Sequence, residues 1–245
     1  MVHQFGIHGL AQMPSAPASL PVHQQISEFL IREIAAGRLV EGERLPPERD
    51  FAAQLNTSVR TLRKALADLS GKGMLERVQG SGNYVRRNGE VESVYSMFRL
   101  ELPEGGGLPT ADVLGIARMK KPGDLPDFGA SEEATRVRRL RYLNQTVIAV
   151  EEIWLDGASG AIDPGKLADS LYLYYKTHLG FWIARAEDRV TMAAVPDWAP
   201  AAFGVRPGAP TGYIERLSWA QRPAPVEFSR TWFDTARAVY LQRLI

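Results

Sequence analysis

Apolar residues recur at helical spacing in three stretches of the first third of the chain, at 22–36, 47–55 and 58–73. Within each stretch they return every three or four residues, which places them on one face of a helix. In the third stretch they are Leu62, Ala65, Leu66 and Leu69. Ser58 stands where a helix N-cap is expected, and Gly73 stands where a helix ends. The pattern predicts three helices, and the last two are joined by a very short turn.

A short hairpin is predicted directly after the third helix. Residues 74–78 and 83–87 have the composition of strands, and Gln79-Gly80-Ser81-Gly82 separates them. A glycine-bearing turn of this kind closes an antiparallel pair. Two helices joined by a tight turn form a helix-turn-helix, whose second helix enters the major groove of DNA. The hairpin then has the place of a wing, which reaches phosphates or the minor groove.

The charge distribution agrees with a nucleic-acid partner for this part of the chain. Between Thr57 and Arg87 there are seven Lys/Arg against two acids, Asp68 and Glu76. Neutralisation of phosphates supplies most of the sequence-independent affinity for DNA. The whole chain has a formal net charge of only +1, so later residues compensate for this excess. The polar side chains in the first turns of the predicted second helix are Arg60, Thr61, Arg63 and Lys64.

The second part of the chain contains an internal repeat. Phe128-Gly129 precedes the segment 134–155, and Phe203-Gly204 precedes a similar segment, 209–233, about 75 residues later. Each copy predicts two strands with a turn between them, so the two copies predict a pseudo-symmetric antiparallel sheet. The stretch 167–179 predicts a helix rich in aromatic residues. Strands with a helix on one side predict an α+β domain.

Arginine and glutamate residues alternate along these strands in a way that suits an anion site. Arg139 and Arg141 share a face with Val137, and Glu151 follows on the next strand. Glu227 has the place of Glu151 in the second copy. Guanidinium groups bind carboxylate or phosphate, and carboxylates accept from hydroxyl or amine groups, so these side chains are candidates for the lining of a pocket. The alternative is that they form the solvated face of the sheet.

The composition excludes several classes of chemistry. Without cysteine the chain has no disulfide, thiolate metal site or cysteine nucleophile. The four histidines lack the spacing of metal ligands, and no phosphate-binding, dinucleotide or nucleophile-elbow motif occurs. No catalytic residue, metal or cofactor is therefore predicted. No apolar run is long enough to span a membrane, and residues 1–20 lack the pattern of a signal peptide, so we expect a flexible tail and a cytoplasmic protein.

Three ordered blocks of sequence carry a family resemblance. LPPERDFAAQL, SVRTLRKAL and ERVQGSGNYV resemble, over their whole length, the winged helix-turn-helix of GntR-type bacterial transcription regulators. The family often has Arg where this chain has Val59, which either contacts a thymine methyl group or packs. The operator sequence is therefore not transferred from relatives. The residues predicted to bind DNA are Arg49, Ser58, Arg60, Thr61, Arg63, Lys64, Gln79, Gly80, Ser81 and Gly82.

From about residue 94 onward the chain looks like the UTRA effector domain of the HutC branch of these regulators, whose fold is similar to chorismate lyase. RRLRYLNQTVIAVEE, SLYLYYKTHLGFWIARAEDRV and RLSWAQRPAPVEFSRTWF carry this looser match. Phe233 departs from it, since relatives often have a hydrogen-bonding Tyr there. The resemblance implies that UTRA domains supply the dimer contact. It also implies effector-binding roles for Arg139, Arg141, Glu151, Ser170, Tyr172 and Glu227.

Together these features predict an α+β protein with a flexible tail at 1–20, a winged helix-turn-helix domain at 21–88, a linker at 89–93 and a UTRA domain at 94–245. Because one recognition helix reads only a half-site, a homodimer on a palindromic operator is expected. The expected function is that of a repressor controlled by a small anionic metabolite. Two alternatives stay open: a chorismate-lyase-like enzyme fused to a DNA-binding domain, and a constitutive DNA-binding dimer without an effector.

Overall fold

The chain divides into two compact units. The computed structural model describes residues 20–86, 93–167 and 169–243. The first unit contains the described residues up to Phe98 together with Glu104–Leu108. The second contains Arg99–Pro103 and what is described from Pro109 onward. The predicted tail and linker lie almost entirely outside the described residues, and they stay predictions.

Three helices build the first unit: α1 (Val22–Ala35), α2 (Glu48–Gln54) and α3 (Val59–Gly71). The three predicted helices are confirmed, with ends within two residues of the predicted ones. Their apolar faces are buried, because the covered side chains recur at helical spacing: Ile26, Phe29, Leu30, Ile34, Phe51, Leu55, Leu62, Leu66 and Leu69. Ser58 caps α3, and its Oγ accepts a hydrogen bond from the backbone N–H of Thr61 over 3.1 Å. This bond pairs one of the free donors at the helix start.

The first unit also contains the predicted wing. β1 (Leu75–Val78) pairs antiparallel with β2 (Gly82–Val85). Residues 43–45 lie along the free side of β2, where the Leu45 N–H donates to the Asn83 oxygen over 2.9 Å. The sequence pattern does not predict this third segment, because three residues are too few to show alternation. The wing therefore has three extended segments rather than two.

The second unit is built mainly from strands. Those among its described residues are β3 (Leu100–Glu101), β4 (Pro109–Lys120), β5 (Glu133–Leu143), β6 (Thr146–Asp156), β7 (Arg185–Ala194), β8 (Pro210–Trp219), β9 (Glu227–Phe233) and β10 (Val239–Tyr240). β3 pairs with β10, and the other six form one antiparallel sheet in the order β4-β5-β6-β9-β8-β7. The four strands predicted from the internal repeat are confirmed as β5, β6, β8 and β9. The edges β4 and β7 were not predicted, because most of their residues are exposed and show no apolar alternation.

The sheet has an approximate twofold symmetry. β6 and β9 lie at its centre, where Ile153 pairs with Ser229. The number of positions between Ile153 and Ser229 in the sequence equals the number between Glu151 and Glu227. The two glutamates therefore occupy equivalent places on either side of the central pair. The meander β4-β5-β6 corresponds in the same way to β7-β8-β9.

The segment between β6 and β7 covers one face of the sheet. It contains α4 (Leu171–Tyr174) and a π-helical turn, Tyr175–Leu179. Its aromatic residues belong to one buried cluster with strand residues: Val137, Ile153, Leu155, Tyr174, Tyr175 and Phe181. The helix predicted over 167–179 is wrong in its length, because Leu167 has an extended backbone and the helix begins only at Leu171. The α+β class is confirmed. None of the helices among the described residues has the length and apolarity needed to cross a membrane.

Candidate nucleic-acid interface and effector site

The first turns of α3 present a cluster of cations to solvent. Arg60, Arg63 and Lys64 are exposed, while the apolar residues of the helix are buried. Ser58 precedes them, and its Oγ lies 2.8 Å from the Thr61 Oγ1. The N-terminal end of a recognition helix meets base edges, and its free N–H groups favour anions. Five of the predicted DNA-binding residues therefore lie together at one end of one helix.

Arg63 forms an ion pair between two helices. Its Nε donates to the Glu48 Oε2 over 2.5 Å, although 62% of the Arg63 side chain is exposed. An exposed pair contributes only about 0–1 kcal/mol to stability, so its main effect is on the direction of the side chain. The other cations predicted to bind DNA, Arg49, Arg60 and Lys64, form no ion pair with any residue that the structure describes.

The turn of the wing is exposed and depends on glycine. Gly80 and Gly82 have φ angles of +75° and +136°, which residues with a side chain rarely adopt. Gln79 is exposed on the same turn. The Ser81 Oγ lies 2.6 Å from the Tyr84 hydroxyl, so this side chain is hydrogen-bonded within the wing. The structure keeps all four predicted wing residues at the tip.

A buried ionic cluster lies on the covered face of the sheet in the second unit. Arg139, Arg141 and Glu151 are only 5%, 3% and 7% exposed. The Arg139 Nε donates to the Glu151 Oε1 across β5 and β6, and the Arg141 Nη1 lies 3.6 Å from the same oxygen. Both arginines donate from Nη1 to the Asp169 backbone oxygen, over 3.1 and 3.2 Å. Their burial shows that the alternative of a solvated face is wrong for these residues.

Glu227 is buried on the same face, and its side-chain hydrogen-bond partners are hydroxyl groups. Its carboxylate accepts hydrogen bonds from Tyr175 over 2.6 Å, from Ser218 over 3.0 Å and from Tyr172 over 3.1 Å. Burial raises the pKa of Glu227, although the hydroxyl donors and Arg216 act in the opposite direction. The two symmetry-related glutamates therefore have different partners.

Three residues that the sequence analysis missed extend the Glu227 cluster. Arg216 forms a two-pronged ion pair with Asp188, over 2.5 and 2.7 Å, and the Tyr240 hydroxyl donates to Asp188 over 2.7 Å. Burial raises the pKa of Asp188, but Arg216 and Tyr240 outweigh it, so the pKa is lowered. Arg216 could have been found in the sequence, because it is the counterpart of Arg139 in the repeated Arg-Leu-x-aromatic motif. Asp188 carries no such signal.

The start of α4 holds two more of the residues predicted to bind effector. The Ser170 Oγ accepts a hydrogen bond from the Leu173 N–H over 3.3 Å and so caps the helix. The neighbouring Asp169 supplies the backbone oxygen that both arginines bind. Tyr172, one turn into the helix, reaches Glu227. This segment therefore connects the arginine cluster with the Glu227 cluster.

The strand register separates Glu151 from Glu227. On the ladder Glu227 pairs with Leu155, four residues beyond Glu151 on β6. At ~3.3 Å per residue, the two places are about 13 Å apart along the strand. Carboxylates that act as a hydrolytic pair lie roughly 5–10 Å apart. Glu151 is also bound to Arg139, so the two glutamates are held at separate places on the face by different partners.

Comparison with known proteins matches each of the two units to a family model. Residues 22–85 match the family model of bacterial regulatory proteins of the gntR family, and residues 104–238 match that of the UTRA domain. The chain is 54% identical over 233 residues to the HTH-type transcriptional regulator SmoD of Agrobacterium fabrum, across 95% of this chain and 100% of that relative. It is 24% identical over 227 residues to the HTH-type transcriptional repressor NagR of Bacillus subtilis, across 90% of each chain. The crystal structure of YydK from Bacillus subtilis shares the fold, with a TM-score of 0.52 and 21% identity over 92% of this chain and 100% of that one.

Proposed function

Because the chain belongs to the GntR family of bacterial transcription regulators and contains a UTRA domain, we propose that it is a homodimeric repressor controlled by a small anionic metabolite. Transcription regulation through sequence-specific DNA binding follows from the family. The dimer, the effector and the direction of regulation are the proposed parts. The protein acts in the cytoplasm, where a bacterial operator lies.

The exposed end of α3 carries the DNA-binding part of the proposal. Its capped first turn presents Arg60 and Lys64 to solvent, and the glycine-rich wing belongs to the same unit. Val59 is the first residue of the helix and is half-buried, so part of its side chain stays available to a thymine methyl group. We therefore expect a palindromic operator whose half-site differs from those that an arginine at this place would select.

The buried arginine cluster carries the effector part of the proposal. Arg139 and Arg141 are buried side by side, and both guanidinium groups lie near the Glu151 carboxylate. Guanidinium groups match the geometry of carboxylate and phosphate groups. Glu227, on the same face, can accept hydrogen bonds from hydroxyl or amine groups of the same ligand.

A long free strand supports the homodimer. β4 and β7 are the two edges of the sheet, and β4 has a register shift between Val113 and Gly115. Bulges of this kind guard an edge against pairing. β7 instead keeps an unbroken register with β8 and exposes Val190 by 46% and Met192 by 71%. A twofold dimer lets the same strand pair with itself, and we expect the dimer contact at β7.

Effector control requires a difference in free energy between two states of the regulator. The metabolite must prefer the state with low operator affinity, by about 1–3 kcal/mol in a typical allosteric protein. The predicted linker at 89–93 is the segment where we expect the rearrangement to be absorbed. One relative is named a transcriptional repressor, which supports an effector that weakens operator binding rather than one that strengthens it.

Selection of bound duplexes from a random DNA pool tests the first part of the proposal. We expect an inverted repeat. Organic acids, phosphosugars and amino-acid catabolites are then screened by thermal shift, and each hit is tested for release of the selected operator. Arg141→Met should abolish both the thermal shift and the release of the operator, whereas the exposed control Arg206→Met should keep them. Conversion of a hit into a product would instead support an enzyme, and operator binding insensitive to every hit would support a constitutive dimer.

A further inference from the structure

The strand β10 is connected to the Glu227 cluster by a series of polar contacts. The Tyr172 hydroxyl donates to Glu227 over 3.1 Å and also interacts with Arg216. Arg216 forms its two-pronged ion pair with Asp188, over 2.5 and 2.7 Å. The Tyr240 hydroxyl, on β10, donates to the same Asp188 carboxylate over 2.7 Å. The series therefore leads from a residue predicted to bind effector to a strand that carries no such residue.

Arg216 is shared between two acidic residues. It is paired with Asp188, and its charge also acts against the rise in pKa that burial causes at Glu227. The N–H donors of a guanidinium lie in one rigid plane, so a turn towards one acid misaligns them for the other. A change in the hydrogen bonding of Glu227 therefore alters how firmly Arg216 holds Asp188.

β10 pairs with β3 where the chain passes between the two units. Two residue pairs form this ladder, and the Arg243 guanidinium adds a two-pronged ion pair with Glu101 of β3, over 2.6 and 3.0 Å. β3 belongs to the second unit, but the residues on either side of it, 93–98 and Glu104–Leu108, belong to the first. A displacement of β3 therefore passes along the chain to the first unit in both directions.

Both flanks of β3 are bound to α1. On the N-terminal side, the Ser93 hydroxyl donates to the buried Glu28 carboxylate over 2.6 Å. On the C-terminal side, the Gly107 backbone oxygen accepts from the Arg32 Nε over 2.9 Å. α1 is in turn bound to the recognition helix, because the Ser27 Oγ donates to a backbone oxygen of α3 over 3.1 Å. The segments next to β3 are thus tied to the helix that meets DNA.

We propose that β10 transmits the state of the Glu227 cluster to the DNA-binding unit, with Arg216 as the group that responds and Tyr240 as the contact that passes the response on. This inference rests on the effector control proposed above. A ligand group bound among the hydroxyl groups of Glu227 changes the charge that Arg216 faces and weakens its hold on Asp188. Tyr240 then loses its fixed acceptor, and β3 loses the strand that positions it. The intact series belongs to the state with high operator affinity, and the loosened series to the state with low affinity.

A double-mutant cycle tests the transmission without any effector. Tyr172→Phe removes the hydroxyl that binds Glu227, and Tyr240→Phe removes the hydroxyl that binds Asp188. The readout is backbone amide hydrogen exchange of β3 and β10, measured by mass spectrometry. Tyr172→Phe should speed this exchange about fivefold, the lower end of a typical coupling between sites. It should have no further effect in the Tyr240→Phe background, because the contact that transmits it is already lost.

Binding of the operator duplex selected from the random pool supplies the functional readout. Tyr172→Phe should weaken this binding about fivefold in the wild-type background and leave it unchanged in the Tyr240→Phe background, as measured by fluorescence anisotropy. The matched control is Tyr142→Phe, which removes a hydroxyl that donates to Asp112 over 2.6 Å in a different cluster of the same unit. In the Tyr142→Phe background the effect of Tyr172→Phe should keep its full size. Circular dichroism should show all variants folded.

Effects of Tyr172→Phe and Tyr240→Phe that simply add would overturn the proposal. Coupling in the exchange data with additive DNA affinities would also overturn it, because β10 would then be a structural strand without influence on the DNA-binding unit. Failure of the proposed function would appear differently. No compound of the screen would then release the operator, while the two hydroxyl groups would still be coupled in both readouts.

Discussion

Ser218 lies directly opposite Glu227 on β8 and β9, and its hydroxyl donates to that carboxylate over 3.0 Å. At the equivalent place in the other half of the sheet, Arg139 lies opposite Glu151. A serine hydroxyl hydrogen-bonds to a carboxylate but cannot neutralise it, whereas a guanidinium does both. One duplicated pattern therefore gives this face a cationic end at Arg139 and a hydroxyl-lined end at Glu227.

The environment of Glu227 predicts a dependence of stability on pH. Burial raises the pKa of this carboxyl in the folded protein above its ordinary value of 4.5. The folded state then binds the proton more tightly than the unfolded chain does, so this stabilisation is complete at low pH and is lost as pH rises from 4.5 through the raised pKa. Glu227→Gln should reduce the fall in the free energy of unfolding over this pH range. Urea unfolding across acidic to neutral pH measures it.

A surface variant serves as the control for this measurement. Glu132→Gln, whose side chain is 86% exposed, should follow the wild-type curve. A Glu227→Gln curve that runs parallel to the wild type would show that the buried carboxyl does not govern this window.

The arginine cluster predicts a large loss of stability when one cation is removed. Arg139→Met leaves Glu151 with Arg141, whose Nη1 lies 3.6 Å from the carboxylate. Removing one partner of a buried ion pair costs about 3–5 kcal/mol, and we expect the lower end because Arg141 stays. The double variant Arg139→Met with Glu151→Gln should recover part of the loss. Equal denaturant midpoints for the single and double variants would argue against the ion pair as the cause.

Ser58 should separate helix stability from DNA affinity. Ser58→Ala removes the acceptor of the Thr61 N–H and should cost about 1 kcal/mol. Ser58→Asp keeps an acceptor at the cap, so stability should stay near that of the wild type. Its carboxylate would face phosphates, and binding to a duplex should weaken. Thermal denaturation and anisotropy measure the two effects, and an Asp variant that binds as tightly as the wild type would remove Ser58 from the interface.

The exposed edge β7 predicts where the dimer can be broken. Met192→Lys places a charge on the strand at its most exposed apolar residue. We expect the dimer dissociation constant to rise at least about tenfold, equivalent to ~1.4 kcal/mol, as measured by analytical ultracentrifugation. Met119→Lys on the other edge, β4, is the matched control and should leave the dimer intact. If only Met119→Lys dissociated the dimer, the interface would lie at β4 instead of β7.

The sequence by itself determined the parts of the fold that depend on neighbouring residues. The three helices, the cap at Ser58 and the hairpin follow from periodicity and turn chemistry within about fifteen residues. The contact between Arg139 and Glu151 does not follow from the turn alone. Counted from Leu143 opposite Thr146, Arg139 would lie opposite Val150, and a register shift between Arg141 and Tyr142 brings it opposite Glu151. The second copy of the Arg-Leu-x-aromatic motif places Arg216 where the first copy has Arg139.

Only the tertiary structure decided the contacts between distant segments. The pairing of Asp188 with Arg216, the hydroxyl partners of Glu227 and the position of Arg44 against Gly82 join residues whose local patterns are unrelated. Alternation along a strand specifies which face is buried, but not which strand lies beside it or in which register. No residue of the edge strand β7 is buried, so no alternation of buried and exposed positions marks it. Which strands become neighbours depends on how the whole sheet and the segment that covers it bury their apolar faces together.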